Sequence, residues 1–410
     1  PWQYNFGTGT GTFTSSTAST LFLPTPISGT SRVRVGTNPG SISLVNPGIG
    51  LGTDTELQIT SNTSSSSTTK FSVYDYTASK IGYVKFTIAF SDGADGVYNF
   101  SLGDGTNFSD NTSIGTSQIF AGIRWTMGAT NTITYTVLSA STFGTTGISN
   151  TTTMFSQSTS NQYTVEIYAN NSTSSTTYFR VDTEYSLPAD SWDLWVDGVR
   201  VGTALASGNL VNDVNFDSFA FNHQASATTP GTIYLDDIEY SNTLPIATPT
   251  VAIASASQIT ATSQEQNTDN VLLSFFDITI TDAAATLESL SVGTSGTYSS
   301  EDTKIDGFKL WMDSDATFTG ATQIGTSVNS TANGSGETLS FSSLATNLSV
   351  GTHYFWVTTD LFSSATIGNT ISANAIANTD FTFTTANKSG SVTAGGVITI
   401  SASVSPVINV

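Results

Sequence analysis

Apolar residues alternate with serine and threonine along almost the whole chain, as in KFSVYDY (70–76), GYVKFTIAFSDG (82–93), NTITYTVLSA (131–140) and QYTVEIYANN (162–171). A period of two is the geometry of a strand with one wet and one buried face, and β-branched and aromatic residues fill the apolar positions. No stretch of helical periodicity exceeds two turns, and breaks rich in Gly, Asn and Asp recur between the runs. The pattern predicts an all-β protein made of sandwiches.

Length divides it. With 410 residues the chain is too long for one ordinary core. SNTLPIATPTVAIAS (241–255) holds Pro245 and Pro249 around a stretch without alternation, which predicts a linker over 245–250. Residues 1–244 then form a large jelly-roll sandwich. Residues 251–410 form a smaller Ig-like Greek-key sandwich, with strands expected at 270–281, 306–314, 337–344, 352–361 and 396–401.

Charge narrows the partners. Acidic residues outnumber basic ones 31 to 11, and a net charge of −20 repels phosphate backbones and anionic bilayers, so nucleic acid is excluded as a partner. Only 10% of residues are charged, yet 24 Phe, 14 Tyr and 6 Trp supply a packed interior, so the chain is a folded one. Without cysteine there are no disulfides, thiolate metal sites or cysteine nucleophiles. A cysteine-free chain of this kind fits an extracellular bacterial protein. No run of 18 apolar residues is present, so no helical membrane insertion is expected. The start at Pro1 and the strand-like end ITISASVSPVINV suggest a removed leader or an internal start, and a protein that continues beyond Val410.

SWDLWVDGVRVG (191–202) is the densest local signal. Alternation puts Trp192, Leu194 and Val196 on one face and Asp193, Trp195 and Asp197 on the other. Asp197-Gly198 predicts a two-residue hairpin turn, with Val199 and Val201 on the returning strand. TSNTSSSSTTK (60–70) reads as a surface loop. Gly7, Gly9 and Gly11 lack the spacing and the following lysine of a phosphate loop, and read as an edge strand or loop.

WDLWVDGVRVGTAL, with VNFDSFAFNHQ (214–224) and GTIYLDDIEY (231–240), resembles the closing half of a concanavalin-like, laminin-G-type jelly roll. FAGIRWTMG (120–128) resembles large domains of secreted Bacteroidota proteins. DGFKLWMDSDATFTGATQIGT (306–326) and LSVGTHYFWVTTDL (348–361) are similar to an accessory sandwich of surface proteins from that phylum. The resemblance implies export by type IX secretion and attachment to the outer-membrane surface, with the secretion or attachment machinery as a partner. It implies no reaction.

Sugar binding would use exposed aromatics flanked by amides, and the candidates are Trp125, Trp192 and Trp195 with Asn170 and Asn171; core packing is the alternative for each tryptophan. Structural calcium would draw on Asp104 and Asp110, with Asn107 and Asn111, in GDGTNFSDNTSIG (103–115); a plain turn is the alternative there, and Asp313 with Asp315 is a weaker version. The jelly-roll resemblance adds Asp236 and Asp237 of the closing strand, one of which alternation turns inward. Asp182 and Glu184 share a strand face and keep a glycoside hydrolase open, although the laminarinase-type acidic pattern is absent. His223 and His353 lack a nucleophile elbow and read as structural. The expectation is a non-catalytic surface protein that binds carbohydrate or another surface polymer. A structural stalk in a larger adhesin and a polysaccharide hydrolase are the alternatives.

Overall fold

The computed structural model describes residues 1–403 except 37–39, 53, 64–67, 129, 182, 226 and 256. Helix among the described residues is confined to Thr106–Ser109 and the short turns Thr116–Gln118 and Asn378–Asp380, so the chain is all-β as the alternation requires. It divides into two compact units, Pro1–Ile246 and Ala247–Val410.

The first unit is a jelly-roll sandwich of two antiparallel sheets. One runs, in spatial order, Val199–Ala206, Ser191–Val196, Ser158–Asn170, Ile81–Phe90, Thr232–Ser241, Glu56–Thr60, Ser41–Val45 and Gly11–Phe13, with Trp2–Tyr4 added on Thr232–Ser241. The other runs Thr142–Gly144, Thr132–Ser139, Ile119–Gly128, Gly96–Gly103, Ser218–Ala225, Thr69–Tyr74 and Thr30–Arg34. Late strands sit between early ones in both sheets, so closing the interior requires the whole unit. The inner faces supply an aromatic core in which Phe86 meets Phe100, Trp125 and Phe221 at ring separations of 5.3, 6.4 and 4.8 Å.

The 191–202 stretch forms the expected hairpin. Ser191–Val196 pairs with Val199–Ala206, and Asp197 and Gly198 turn the chain at φ 48° and 77°. Those positive angles are what a type I′ turn demands, and they match the twist of the flanking strands. Trp192, Leu194 and Val196 join the main core, while Asp193 and Trp195 face the other way. Gly11–Phe13 is an edge strand, as read from its glycines. Of the serine-rich tract, residues 64–67 lie outside the described residues; strands Glu56–Thr60 and Thr69–Tyr74 flank it.

The second unit stacks two sheets around a separate core that includes Phe276, Phe355, Phe381 and Tyr298. The expected strands are Val271–Thr281, Phe308–Asp313, Thr338–Phe341, Gly351–Thr359 and Ile398–Ser401. Two pairings are parallel: Thr250–Ala254 with Asn387–Val392, and Thr262–Glu265 with Ile398–Ser401. In each, a strand from the start of the unit lies beside one from its end.

Candidate functional site

The outer face of the second sheet of the first unit carries a polar row that the strands align residue by residue. Arg34 lies opposite Lys70, Lys70 opposite Asn222, Asn222 opposite Asn99, Asn99 opposite Arg124, and Arg124 opposite Thr136. Alternation forces this arrangement: Phe71, Phe221, Phe100 and Trp125 point into the core, so their chain neighbours Lys70, Asn222, Asn99 and Arg124 point out.

Half of the row is covered. Lys70 donates to the carbonyls of Asn107 and Thr112, at 2.5 and 3.1 Å, and Ser72 donates to that of Phe108 at 2.7 Å. Arg34 Nη1 donates to the Asn111 carbonyl at 2.6 Å, and Arg32 reaches the Asp110 carbonyl and the Asn111 side chain. Phe108 is buried beneath this segment. Burial first, then Arg32 and Arg34, push the Lys70 ammonium down to about 8 against the opposing pull of Asp110.

The other half borders a cavity. Asn99, Ser101, Arg124 and Asn222 floor a cavity of about 360 Å³, with Phe143 and Ile114 among its walls. Arg124 Nε donates to Asn99 Oδ1 at 2.9 Å, and the guanidinium carbon lies 3.9 Å from the Phe143 ring centre. One guanidinium face is thus stacked and its fork oriented, while burial lowers its basicity. No Asp, Glu, His or Tyr is among the described lining residues. A planar cation, two amides and hydroxyls offer directed hydrogen bonds to a hydroxylated or carboxylated ligand.

The sequence candidates lie elsewhere. Trp125 and Trp192 are fully buried between the sheets, and the indole Nε1 of Trp192 donates to the Ala206 carbonyl at 3.1 Å. Trp195 is 5% exposed under the hairpin formed by Thr176–Arg180 and Thr183–Leu187, with Tyr185 at 5.0 Å and the Arg180 guanidinium at 4.5 Å. Asn170 donates to the carbonyls of Ser174, Leu187 and Pro188, and Asn171 to those of Val211 and Val214; both are 0% exposed. These five residues therefore present no stacking face or free amide to a sugar, and core packing or backbone anchoring accounts for each.

Asp193 explains the acid in that hairpin. Its carboxylate accepts from Tyr178 Oη at 2.6 Å and from the Ala204 amide at 2.7 Å, and it pairs with Arg200. Beside it Arg180 and Glu166 form an ion pair at 2.7 Å, and Tyr178 stacks on Tyr168 at 3.9 Å. This is a second, small core on the outside of the first sheet.

The acidic loop closes on itself. Asp110 accepts from the amide and hydroxyl of Thr112, each at 2.7 Å, and from Asn107 Nδ2 at 3.1 Å, with Lys70 at 3.9 Å; these bonds hold its carboxyl below the usual range despite desolvation. Asp104 lies beside Asp217, whose carboxyl is pushed up by burial first and by Asp104 as well. Asp104 and Asp110 thus have different neighbours. Asp182 lies outside the described residues, and Glu184 is exposed opposite Phe179. His353 Nε2 is 2.8 Å from the Ser349 carbonyl.

Asp236 and Asp237 differ in kind. A bulge between Asp236 and Glu239, with Asp237 at φ 51°, turns Asp237 to solvent and leaves Asp236 1% exposed. Asp236 Oδ1 accepts the Asp237 amide at 2.8 Å, but Oδ2 has no partner. Its carboxyl is pushed up to about 7, by burial first and also by the charges of Asp237, Glu56 and Asp54. A Cβ on Gly52, itself at φ 74°, would fall 2.4 Å from that Oδ2 and 3.3 Å from Asp237 Oδ1, so only glycine allows this approach. Glu56 is occupied by the amides of Ile49 and Leu51 at 3.0 and 2.8 Å. Among the described residues no three Asp, Glu or His side chains form a metal-ligand group.

No family model matches the chain, and no curated protein matches it by sequence. Solved structures that it resembles include a cellulose induced protein, Cip1, at 12% identity and TM-score 0.32, covering 56% of this chain and 92% of that one. A marine PL-14 alginate lyase from Aplysia kurodai is similar at 9% identity and TM-score 0.30, over 49% of this chain and 86% of the lyase. The carbohydrate recognition domain of Emp46p is similar at 11% identity and TM-score 0.24, over 46% and 83%.

Proposed function

We propose that the first unit binds a saccharide, without turning it over, in the cavity above Asn99, Arg124 and Asn222. The observation that carries this reading is the aligned amide–amide–guanidinium row, half covered by residues 106–112 and half bordering the cavity beside Phe143. Buried directional groups with an apolar wall are the usual makings of a small polar-ligand site. The described lining residues include no carboxylate pair to act as acid and base, which supports binding over hydrolysis. Arg124→Met, which keeps the apolar stem, is expected to weaken at least one glycan-array ligand of the full chain by about tenfold or more. Unchanged affinity for every ligand, or release of reducing ends from the bound polysaccharide, would refute the reading.

Calcium is the second part of the proposal, with Asp236 as its buried ligand and Asp237 beside it. The support is an ionisable oxygen without a donor among the described residues, with the charges of Asp237, Glu56 and Asp54 beside it. Calcium takes hard oxygens and completes its shell with backbone carbonyls and water, so it does not need three carboxylates. Bound there, it would neutralise the buried charge and brace the closing strand. Export by type IX secretion and display at the outer-membrane surface complete the proposal; they rest on the sequence resemblance. Retention of the chain inside cells that lack that pathway is the expected result.

A further inference from the structure

The second unit has a groove of its own, independent of the cavity just described. On the outer face of its first sheet Trp311 lies opposite Trp356 and Trp356 opposite Phe275, an aromatic row across three strands. Phe275 and Trp356 stack at 5.2 Å with planes 21° apart, and Phe318 meets Trp356 edge-on at 5.7 Å. Further along the same face the residues become polar, with Thr279 and Thr352 sharing a hydrogen bond at 2.9 Å. Between these pairs lie Asp277 and Tyr354, the latter stacked on Phe275 at 6.2 Å, so the aromatics gather toward one end.

At that end the strand carries a bulge between Leu272 and Ser274. Residues three apart on a regular strand face opposite ways, but this bulge lets both Leu272 and Phe275 line one cavity of about 720 Å³. The Phe275 amide is fixed by Gln258 Oε1 at 2.9 Å. Hydroxyl and amide side chains, among them Thr260, Gln264 and Asn270, form the rest of the wall. No described lining residue is ionisable, although the chain has 31 acids and 11 bases to place.

We propose that this groove is a second saccharide site, selective for a neutral glycan. The half-buried Phe275 ring, backed by the buried Trp356, packs on the apolar C–H face of a pyranose, and hydroxyl and amide walls meet its hydroxyl groups. Lys309, which reaches Asn270 Oδ1 at 3.3 Å, is already paired with Asp360 at 2.6 Å, so a charged sugar would give up its water here without meeting an unpaired counter-charge. The volume lies within the about 300–1,000 Å³ typical of ligand pockets.

The test titrates the full chain with hexasaccharides of β-1,4-glucan, xylan and mannan, and with hexagalacturonate as the charged comparator. Tryptophan fluorescence and calorimetry are the readouts. At least one neutral hexasaccharide is expected to bind wild type and Arg124→Met alike, so this site is read apart from the first. Phe275→Ala is expected to weaken that binding by about tenfold. Phe275→Leu, which keeps an apolar side chain but removes the ring, is expected to do the same with an unchanged melting midpoint. Three outcomes overturn the proposal: no neutral hexasaccharide binding to Arg124→Met, binding indifferent to both Phe275 substitutions, or preference for hexagalacturonate in Arg124→Met.

Discussion

Asp193→Ala is expected to destabilise the first unit by about 3–5 kcal/mol, the usual cost of removing one partner from a buried ion pair. The carboxylate is 0% exposed and joins three groups from separate segments: the Tyr178 hydroxyl, the Ala204 amide and the Arg200 guanidinium. Truncation leaves the charge of Arg200, which is partly buried, without its carboxylate. It also removes the acceptor for Tyr178, whose hydroxyl is in turn the acceptor for the Trp195 indole at 2.8 Å. The hairpin over Trp195 therefore loosens along with the pair. Urea unfolding of Asp193→Ala and Asp193→Asn checks this, with the amide expected to retain part of the stability through the Ala204 contact. A loss below about 1 kcal/mol, as at an exposed ion pair, would show that the pair contributes little.

Calcium removal is the second large effect. At a free concentration near one hundred times its dissociation constant, a ligand that binds only the folded state adds about 2.7 kcal/mol. In a unit of this size that moves the thermal midpoint by roughly 5–10 °C. Wild type is expected to gain this shift with calcium and lose it with EDTA. Asp236→Asn preserves the shape and removes the charge, so it should melt at one temperature in both buffers. Its calcium-free midpoint should also exceed that of wild type, because no unneutralised carboxylate remains buried. A midpoint insensitive to calcium in wild type, or an equal shift in Asp236→Asn, would remove the ion from Asp236.

The strands and the 191–202 hairpin were legible because period two and Asp197-Gly198 are local signals. The site was harder to read. Large, sugar-stacking residues such as Trp125 drew attention, yet in an alternating strand the tryptophan and its neighbour face opposite ways, and here the core took the tryptophan. The usable signal was Arg124, a charge in the polar phase of an apolar strand, FAGIRWTMG. Asn99 and Asn222 carry the same signal in YNFSLG and FAFNHQ. Their convergence was not legible, because it depends on registers between strands more than one hundred residues apart in sequence, such as Asn99 with Asn222. Nor did the pattern reveal that Thr176–Arg180 and Thr183–Leu187 fold back over Trp195, since a two-stranded flap looks like any other hairpin until its covered face is known.

The parallel pairs of the second unit bear on how it would respond to tension. Drawn apart by its two ends, the unit is loaded through Thr250–Ala254 on one side and Ile398–Ser401 on the other, each lying parallel to a strand from the opposite end of the unit. A pull along parallel neighbours strains their hydrogen bonds together, in shear, whereas an antiparallel hairpin unzips one rung after another. Such a module yields late and all at once.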